Sequence, residues 1–325
     1  MTTPQLLIGD IGGTNARFAL VDADGSDYFA EKTLRCADYE SAESAITDYL
    51  RHSKASKPSV ICLAAAGPIV NQSVRFTNNH WSIDARGLAK HFATSRVRLL
   101  NDFEAIAYSL SLLGDEDLET VGLKQLNFLE QAEFTVGVLG PGTGLGLAGL
   151  LKREACIHPI VGEGSHSGFA PETHLQMEVL KQLRERYERV SDERLISGPG
   201  LENIYWALLR IHGEQTTKIT AAEIFERALS NTDVRAAESL QLFYEVLGQV
   251  AGNLALTLGA LDGIYLAGGI LKRYPDLLKT SSFRSGFENK GRHRSLVENT
   301  PTQLILHPQP GLLGAAYYAH QLYTR

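Results

Sequence analysis

The sequence predicts an α/β protein in two lobes, and three observations lead there. Its 325 residues exceed the usual size of a single hydrophobic core. Strand-like and helix-like apolar spacings alternate along most of the chain. A strand, a Gly-Thr turn and a second strand near the N-terminus also recur past the middle of the chain. Gly13-Thr14 precedes Phe18-Ala19 at the same spacing at which Gly142-Thr143 precedes Leu147-Ala148.

Leu6–Asp10, Ala16–Asp22 and Tyr28–Arg35 read as a meander of three strands, with "ADGSD" as the second turn. Asp38–Leu50 follows with helical spacing, Tyr39, Ala42, Ile46 and Tyr49 forming one stripe and Asp38 the expected N-cap. "VICLAAAG" is a strand, "NQSVRFTN" a short hairpin, Asp84–Phe92 a helix, "VRLLN" a strand and Asp102–Leu113 a helix. The polar stretch Gly114–Gln125 is the expected crossing into the second lobe. That lobe opens on "FTVGVLGPGTGLGLAGLLK" and continues with helices near Glu172–Val190, Gly200–Ile211, Ala221–Leu229 and Val234–Leu258, then the strand "GIYLAGG". The expected division is 1–113 and 114–300. Residues 301–325, the strand "TQLILH" and a helix from Gly311, pack back on the first lobe.

Composition narrows the function. With 44% hydrophobic and 21% charged residues the chain reads as an ordinary soluble globular protein. A net charge of −6 argues against nucleic acid as a partner. Cys36, Cys62 and Cys156 lie far apart, so neither a disulfide framework nor a thiolate zinc site is expected, and a reducing cytoplasm fits. No basic n-region opens the chain, so no signal peptide is expected. The longest uncharged candidate for a membrane span, Phe134–Leu151, is broken by six glycines and a proline.

Asp10-Ile11-Gly12-Gly13-Thr14-Asn15 ends an apolar strand on a carboxylate beside uncovered backbone amides, chemistry suited to a metal-bound phosphate. A plain turn is the duller reading, and the second Gly-Thr copy weighs against it. Gly144–Gly149 matches GxGxxG without opening a capped helix, and no GxxxxGK[ST] occurs, so dinucleotide and P-loop sites are set aside. In "LLNDFEAIA", Asn101 and Asp102 are either a helix cap or a carboxylate aimed into the crevice at a strand's carboxyl end. "VGEGSHSGFAP" places Glu163 and His166 in a loop that binds something or is merely solvated. His158, His166 and His174 recur every eight residues, with no HExxH or cysteine partner to support a metal site. "TNNHW", Thr77–Trp81, could stack on or hydrogen-bond a sugar, though Trp81 is more often a core residue.

With "GDIGGTNARFAL", "LLNDFEA", "GPGTGLG", "GEGSH", "ERLISGPGL", "GNLALTLG", "LAGGI", "FRSGFENKGR" and "PGLLGAA" in this order, the chain resembles the bacterial glucokinase family. These are ATP-dependent hexose kinases of the sugar-kinase, actin and heat-shock ATPase superfamily. The resemblance implies a two-lobed actin-like ATPase (ribonuclease H-like) fold, with mixed sheets flanked by helices and a ligand cleft between the lobes. It implies phosphorylation of D-glucose at the 6-hydroxyl, in the cytoplasm, by a homodimer. ATP would meet Asp10, Gly12, Gly13, Thr14 and Asn15 on one side and Gly142, Thr143 and Gly144 on the other, with Gly268 and Gly269 at the adenosine and Asp10 acting through Mg²⁺. Asp102 would be the general base, and Asn101, Asp102, Glu163, His166 and Glu193 the sugar contacts. The family loop is usually Glu-Gly-Gly-His, and here Ser165 stands for the second glycine. The zinc-binding cysteine cluster of the broader group has no counterpart, so zinc is not expected. A sugar-sensing repressor would need a DNA-reading module, for which the expected first strand leaves no room ahead of it. A partner-moving ATPase gives no reason for the Glu163/His166 loop.

Overall fold

The computed structural model describes residues 5–22, 27–76, 78–122, 131–154 and 156–324. The chain forms two compact units, Met1–Gly114 with His307–Arg325, and Asp115–Leu306. The turn expected in "ADGSD" and the end of the expected crossing stretch lie outside the described residues.

The first unit is a mixed sheet in the order β3-β2-β1-β4-β7. β1 (Gln5–Ile11), β2 (Asn15–Asp22) and β3 (Tyr28–Arg35) form the antiparallel meander. The first helix, α1 (Ala42–His52), starts later than expected: Cys36–Asp38 is a 3₁₀ turn, and Ser41 caps the helix in a reciprocal box with Ser44. β4 (Val60–Ala65) adds parallel to β1 and is buried at all six positions, as strands in parallel sheets covered on both faces usually are. β5 (Ser73–Arg75) and β6 (Ser82–Asp84) make the small hairpin, and Asp84 caps α2 (Ala85–Phe92). β7 (Val97–Asn101) pairs parallel with β4 and runs into α3 (Asp102–Ser109). The C-terminal helix, Pro310–Thr324, packs on α3, where a Cβ on Gly314 would overlap the Ala105 carbonyl oxygen. Arg96 fastens its far end by donating to the Tyr323 carbonyl (2.8 Å). The core holds Leu7, Phe18, Tyr49, Leu63 and Trp81, each buried apolar side chain contributing about 1.5–3 kcal/mol.

The second unit repeats the pattern in a sheet ordered β11-β10-β9-β12-β13-β8. β8 (Leu118–Thr120) is an edge strand inside the stretch expected to be a linker. β9 (Phe134–Pro141) and β10 (Leu145–Arg153) flank the second Gly-Thr turn as β1 and β2 flank the first, and β11 (Cys156–Val161) follows antiparallel. The helices are α4 (His174–Leu183), α5 (Gly198–Ile211), α6 (Ala221–Leu229) and α7 (Val234–Leu258). β12 (Ile264–Leu266) pairs parallel with β9. Then come α8 (Gly269–Arg273), α9 (Pro275–Thr280), α10 (Phe283–Glu288) and α11 (Arg294–Val297). β13 (Thr302–Ile305), grouped by the sequence reading with the first lobe, is a strand of this sheet, parallel to β12. α7 lies across β9, with Leu254 against Gly137, and buries Leu247, Val250 and Ala251 in the core. Among the described residues no helix is long and apolar enough to cross a membrane.

The chain therefore has the actin-like ATPase fold: two α/β units, each with an antiparallel meander extended by parallel strands.

Candidate active site

In the first unit the turn Gly12-Gly13-Thr14 closes on itself, the Gly12 amide donating to Asn15 O (2.9 Å). Cys36 N–H donates to Thr14 O (2.9 Å), so the carbonyl faces β3's end of the sheet while Thr14 remains exposed. Two residues of "TNNHW", a segment read as able to hydrogen-bond a sugar, lie against this turn. Asn79 Nδ2 donates to Gly12 O (3.4 Å), and a Cβ on Gly13 would stand 3.1 Å from Asn78 Cβ. Of the two readings of Trp81 the core one holds: it is 1% exposed, and its ring N–H donates to Tyr39 O (3.1 Å).

Asp10 lies near the end of β1, with Arg17 Nη1 3.7 Å from its carboxylate. The first turn of the C-terminal helix crowds it, a Cβ on Gly311 falling 3.3 Å from its carboxyl carbon. Burial pushes the Asp10 pKa up and Arg17 opposes the shift, while 31% of the side-chain surface stays accessible. Among the described residues no three His, Cys, Asp or Glu side chains gather into a metal cage. A lone carboxylate still fits Mg²⁺ carried on a nucleotide, which usually takes one or two protein carboxylates and completes its shell with phosphates and water.

At the end of β7 the two readings of Asn101 and Asp102 separate. Asn101 is the N-cap of α3: its Oδ1 accepts from the amides of Phe103 (2.9 Å) and Glu104 (3.3 Å). Its Nδ2 donates to Gly67 O (3.1 Å), and Glu104 completes the box by accepting from Asn101 N–H (3.2 Å). Asp102 is the first helical residue, half-buried, with Oδ1 accepting from Phe103 N–H (3.0 Å). Glu104 is buried behind them, its pKa raised by burial and held back by Arg98, whose Nη2 lies 3.6 Å away.

In the second unit the turn after β9 is held from three sides. Gly142 N–H donates to Gly144 O (2.7 Å), and Gly142 O accepts from Gly198 N–H (2.9 Å) at the start of α5. Leu145 N–H donates to Glu193 Oε2 (3.0 Å), and a Cβ on Gly144 would stand 2.5 Å from that same oxygen. Gly268, at φ 99°, leaves no room for a side chain against the Pro141 carbonyl, so the Gly268-Gly269 corner abuts the residue just before Gly142. The structure thus brings Gly142, Thr143, Gly144, Glu193, Gly268 and Gly269 to one end of the β9–β12 pair.

Glu163 and His166 are exposed on a loop whose 3₁₀ turn, Gly164–His166, buries Ser165 to 3% exposure. The loop is fastened by a segment for which the sequence offered Glu193 alone. Arg189 Nη1 donates to His166 O (2.6 Å), Asp192 N–H to Ser167 O (3.1 Å) and Phe169 N–H to Val190 O (3.1 Å). Asp192 lines a cavity of about 600 Å³ with Leu147, Gly164, Val250 and Leu254. Burial pushes its pKa up to about 7, against the pull of Arg189. The recurring histidines lie apart in the fold, His158 on β11 and His174 at the start of α4.

The Glucokinase family model matches residues 7–322. A glucokinase of Hahella chejuensis is 39% identical over 314 residues, 95% of this chain and 95% of that protein. The crystal structure of a glucokinase from an Antarctic psychrotroph superposes with a TM-score of 0.89 at 32% identity, covering 98% of this chain and 100% of that one. A ROK family glucokinase of Streptomyces griseus, solved with glucose and AMPPNP, shares the fold with a TM-score of 0.62 at 20% identity, covering 98% and 99%.

Proposed function

The chain belongs to the glucokinase family, and from that premise we propose that it transfers the γ-phosphoryl group of ATP to the 6-hydroxyl of D-glucose. The products are glucose 6-phosphate and ADP, and Asp102 is the general base. The observation that carries this reading is the division of labour at the start of α3. Asn101 supplies the cap, and Asp102 presents a half-buried carboxylate at the carboxyl end of a parallel strand, where ligands bind in such sheets.

Phosphoryl transfer depends on positioning and on neutralising charge. Glu163, His166, Glu193 and Asn101 hold the sugar hydroxyls, Asn101 through the amide hydrogen that Gly67 does not take. Asp102 accepts the proton of the 6-hydroxyl as its oxygen attacks. Backbone N–H groups of Gly13 and Thr14, and of Thr143 and Gly144, donate to phosphate oxygens. Gly268 and Gly269 form the corner that admits the adenosine. Asp10 would hold the Mg²⁺ of the nucleotide, which when bound offsets charge on the phosphates. Glucose and a nucleotide analogue bound to the Streptomyces griseus relative support this choice of ligands.

The test is ADP release with MgATP against a panel of hexoses, glucosamine and 6-deoxyglucose. Sugar-dependent ADP release with glucose and none with 6-deoxyglucose is the expected result. ATP turnover indifferent to sugar would refute the proposal.

A further inference from the structure

Five consecutive residues, Arg189 to Glu193, touch both loops that the second unit contributes. Arg189 and Asp192 grip the backbone of His166 and Ser167, at 2.6 and 3.1 Å. Glu193 reaches the other way and accepts from Leu145 N–H, the residue that closes the Gly142–Gly144 turn. Its own carbonyl accepts from Ser197 Oγ (2.8 Å), and that hydroxyl also caps α5, accepting from Gly200 N–H (2.9 Å). The carboxylate occupies the space where any side chain at residue 144 would begin. Turn, carboxylate and loop are therefore packed as one assembly.

We propose that Glu193 is a positioning residue for the Gly142–Gly144 turn, and that the Arg189–Glu193 segment couples occupancy of that turn to occupancy of the Glu163–His166 loop. The proposal rests on the reading above, in which the turn meets phosphate and the loop meets sugar. A sugar hydroxyl donating to one Glu193 oxygen fixes the carboxylate, and through Oε2 it fixes Leu145 N–H and the turn. Whichever ligand binds first bears the ordering of both loops, and the second then binds more tightly. The coupling is reciprocal by thermodynamic necessity.

The experiment measures Mg-AMPPNP and glucose binding to the full chain by calorimetry, each with and without the other, in wild type, Glu193→Ala, Glu193→Gln, Gly144→Ala and the Gly144→Ala/Glu193→Ala double variant. Circular dichroism verifies folding. Wild type should show glucose tightening AMPPNP binding by about fivefold or more. Glu193→Ala should weaken sugar-free AMPPNP binding about tenfold, the scale of a lost charge-assisted hydrogen bond, and abolish the coupling. Glu193→Gln retains an oxygen for Leu145 N–H and should keep AMPPNP affinity within about threefold. Gly144→Ala displaces the carboxylate, so its effect and that of Glu193→Ala should be strongly non-additive. Unchanged sugar-free AMPPNP affinity in Glu193→Ala, or full additivity in the double variant, would overturn the positioning role. Wild-type glucose affinity in both Glu193 variants would overturn the sugar contact and hence the coupling. Failure of nucleotide and sugar to bind wild type at all would overturn the parent reading instead.

Discussion

Replacing Asp192 by Asn separates a half-buried carboxyl from the backbone it sits on, because the Asp192 N–H that holds Ser167 O is unchanged. Burial moves the Asp192 pKa from 3.8 to about 7, with Arg189 pulling the other way. The folded protein thus binds this proton more tightly than the unfolded chain. The stabilisation is fully present below about pH 4 and is lost as pH rises through about 7. The interval corresponds to at most ~4 kcal/mol, and solvent reaching the half-buried side chain reduces it to about 2 kcal/mol. The amide that replaces the carboxyl has no proton to lose. Urea unfolding of wild type and Asp192→Asn between pH 4.5 and 8 should therefore show the variant gaining about 2 kcal/mol on wild type across the range. The chain has two tryptophans, Trp81 in the first unit and Trp206 on α5 in the second, so a Trp81→Phe background makes fluorescence report on the unit that holds Asp192. A stability difference constant to within about 0.5 kcal/mol at every pH would refute the reasoning.

Three further outcomes are expected. Asp102→Asn should lower kcat by roughly 10² to 10⁴ while glucose binding changes far less, and near-normal kcat in a correctly folded variant would send the search for the base to Glu163. Asp10→Asn should slow turnover and raise the Mg²⁺ concentration needed for half-maximal ADP release, a shift absent if the carboxylate only pairs with Arg17. Gly314→Ala must push the C-terminal helix away from the Ala105 carbonyl, costing about 1–3 kcal/mol or more. Trp81 fluorescence should record the first unit melting several degrees lower, and an unchanged Tm would mean that the helix pair adjusts freely.

What the sequence disclosed was local. Both ends of α7 are written in neighbouring residues, Asp233 as cap and Gly259 in the left-handed conformation, and the helix runs over the expected residues. The Gly-Thr turns stood out because the second repeats the first at the same spacing to its apolar strand. Where two local signals competed, sequence could not decide: Asp38 and Ser41 can both cap a helix, and it is Ser41 that does so, in its box with Ser44, while Asp38 ends a 3₁₀ turn. β8 went unseen because three half-buried residues carry no period, and β11 because most of its side chains stay outside the core. In the site, carboxylates and amides at turns were legible. Arg189 was not, because its target is the backbone carbonyl of His166, and every residue has a carbonyl. Ser165 was visible as a departure, but whether it faced a ligand or the interior was settled only by the 3₁₀ turn that buries it.

The first unit is assembled from both ends of the chain, whereas Asp115–Leu306 is one continuous run. During synthesis from the N-terminus, β1, β4 and α3 emerge early, yet the helix they pack against is made after the whole second unit. The first unit therefore cannot complete its core before the second has been synthesised, unlike an N-terminal domain made of one continuous run. The residues of the second unit are all made before that helix, while the first unit keeps the α3 face that will meet Gly314 uncovered until Pro310–Thr324 has been made. The carboxylate of Asp10, crowded by Gly311 only in the finished unit, acquires its final surroundings in that same last step.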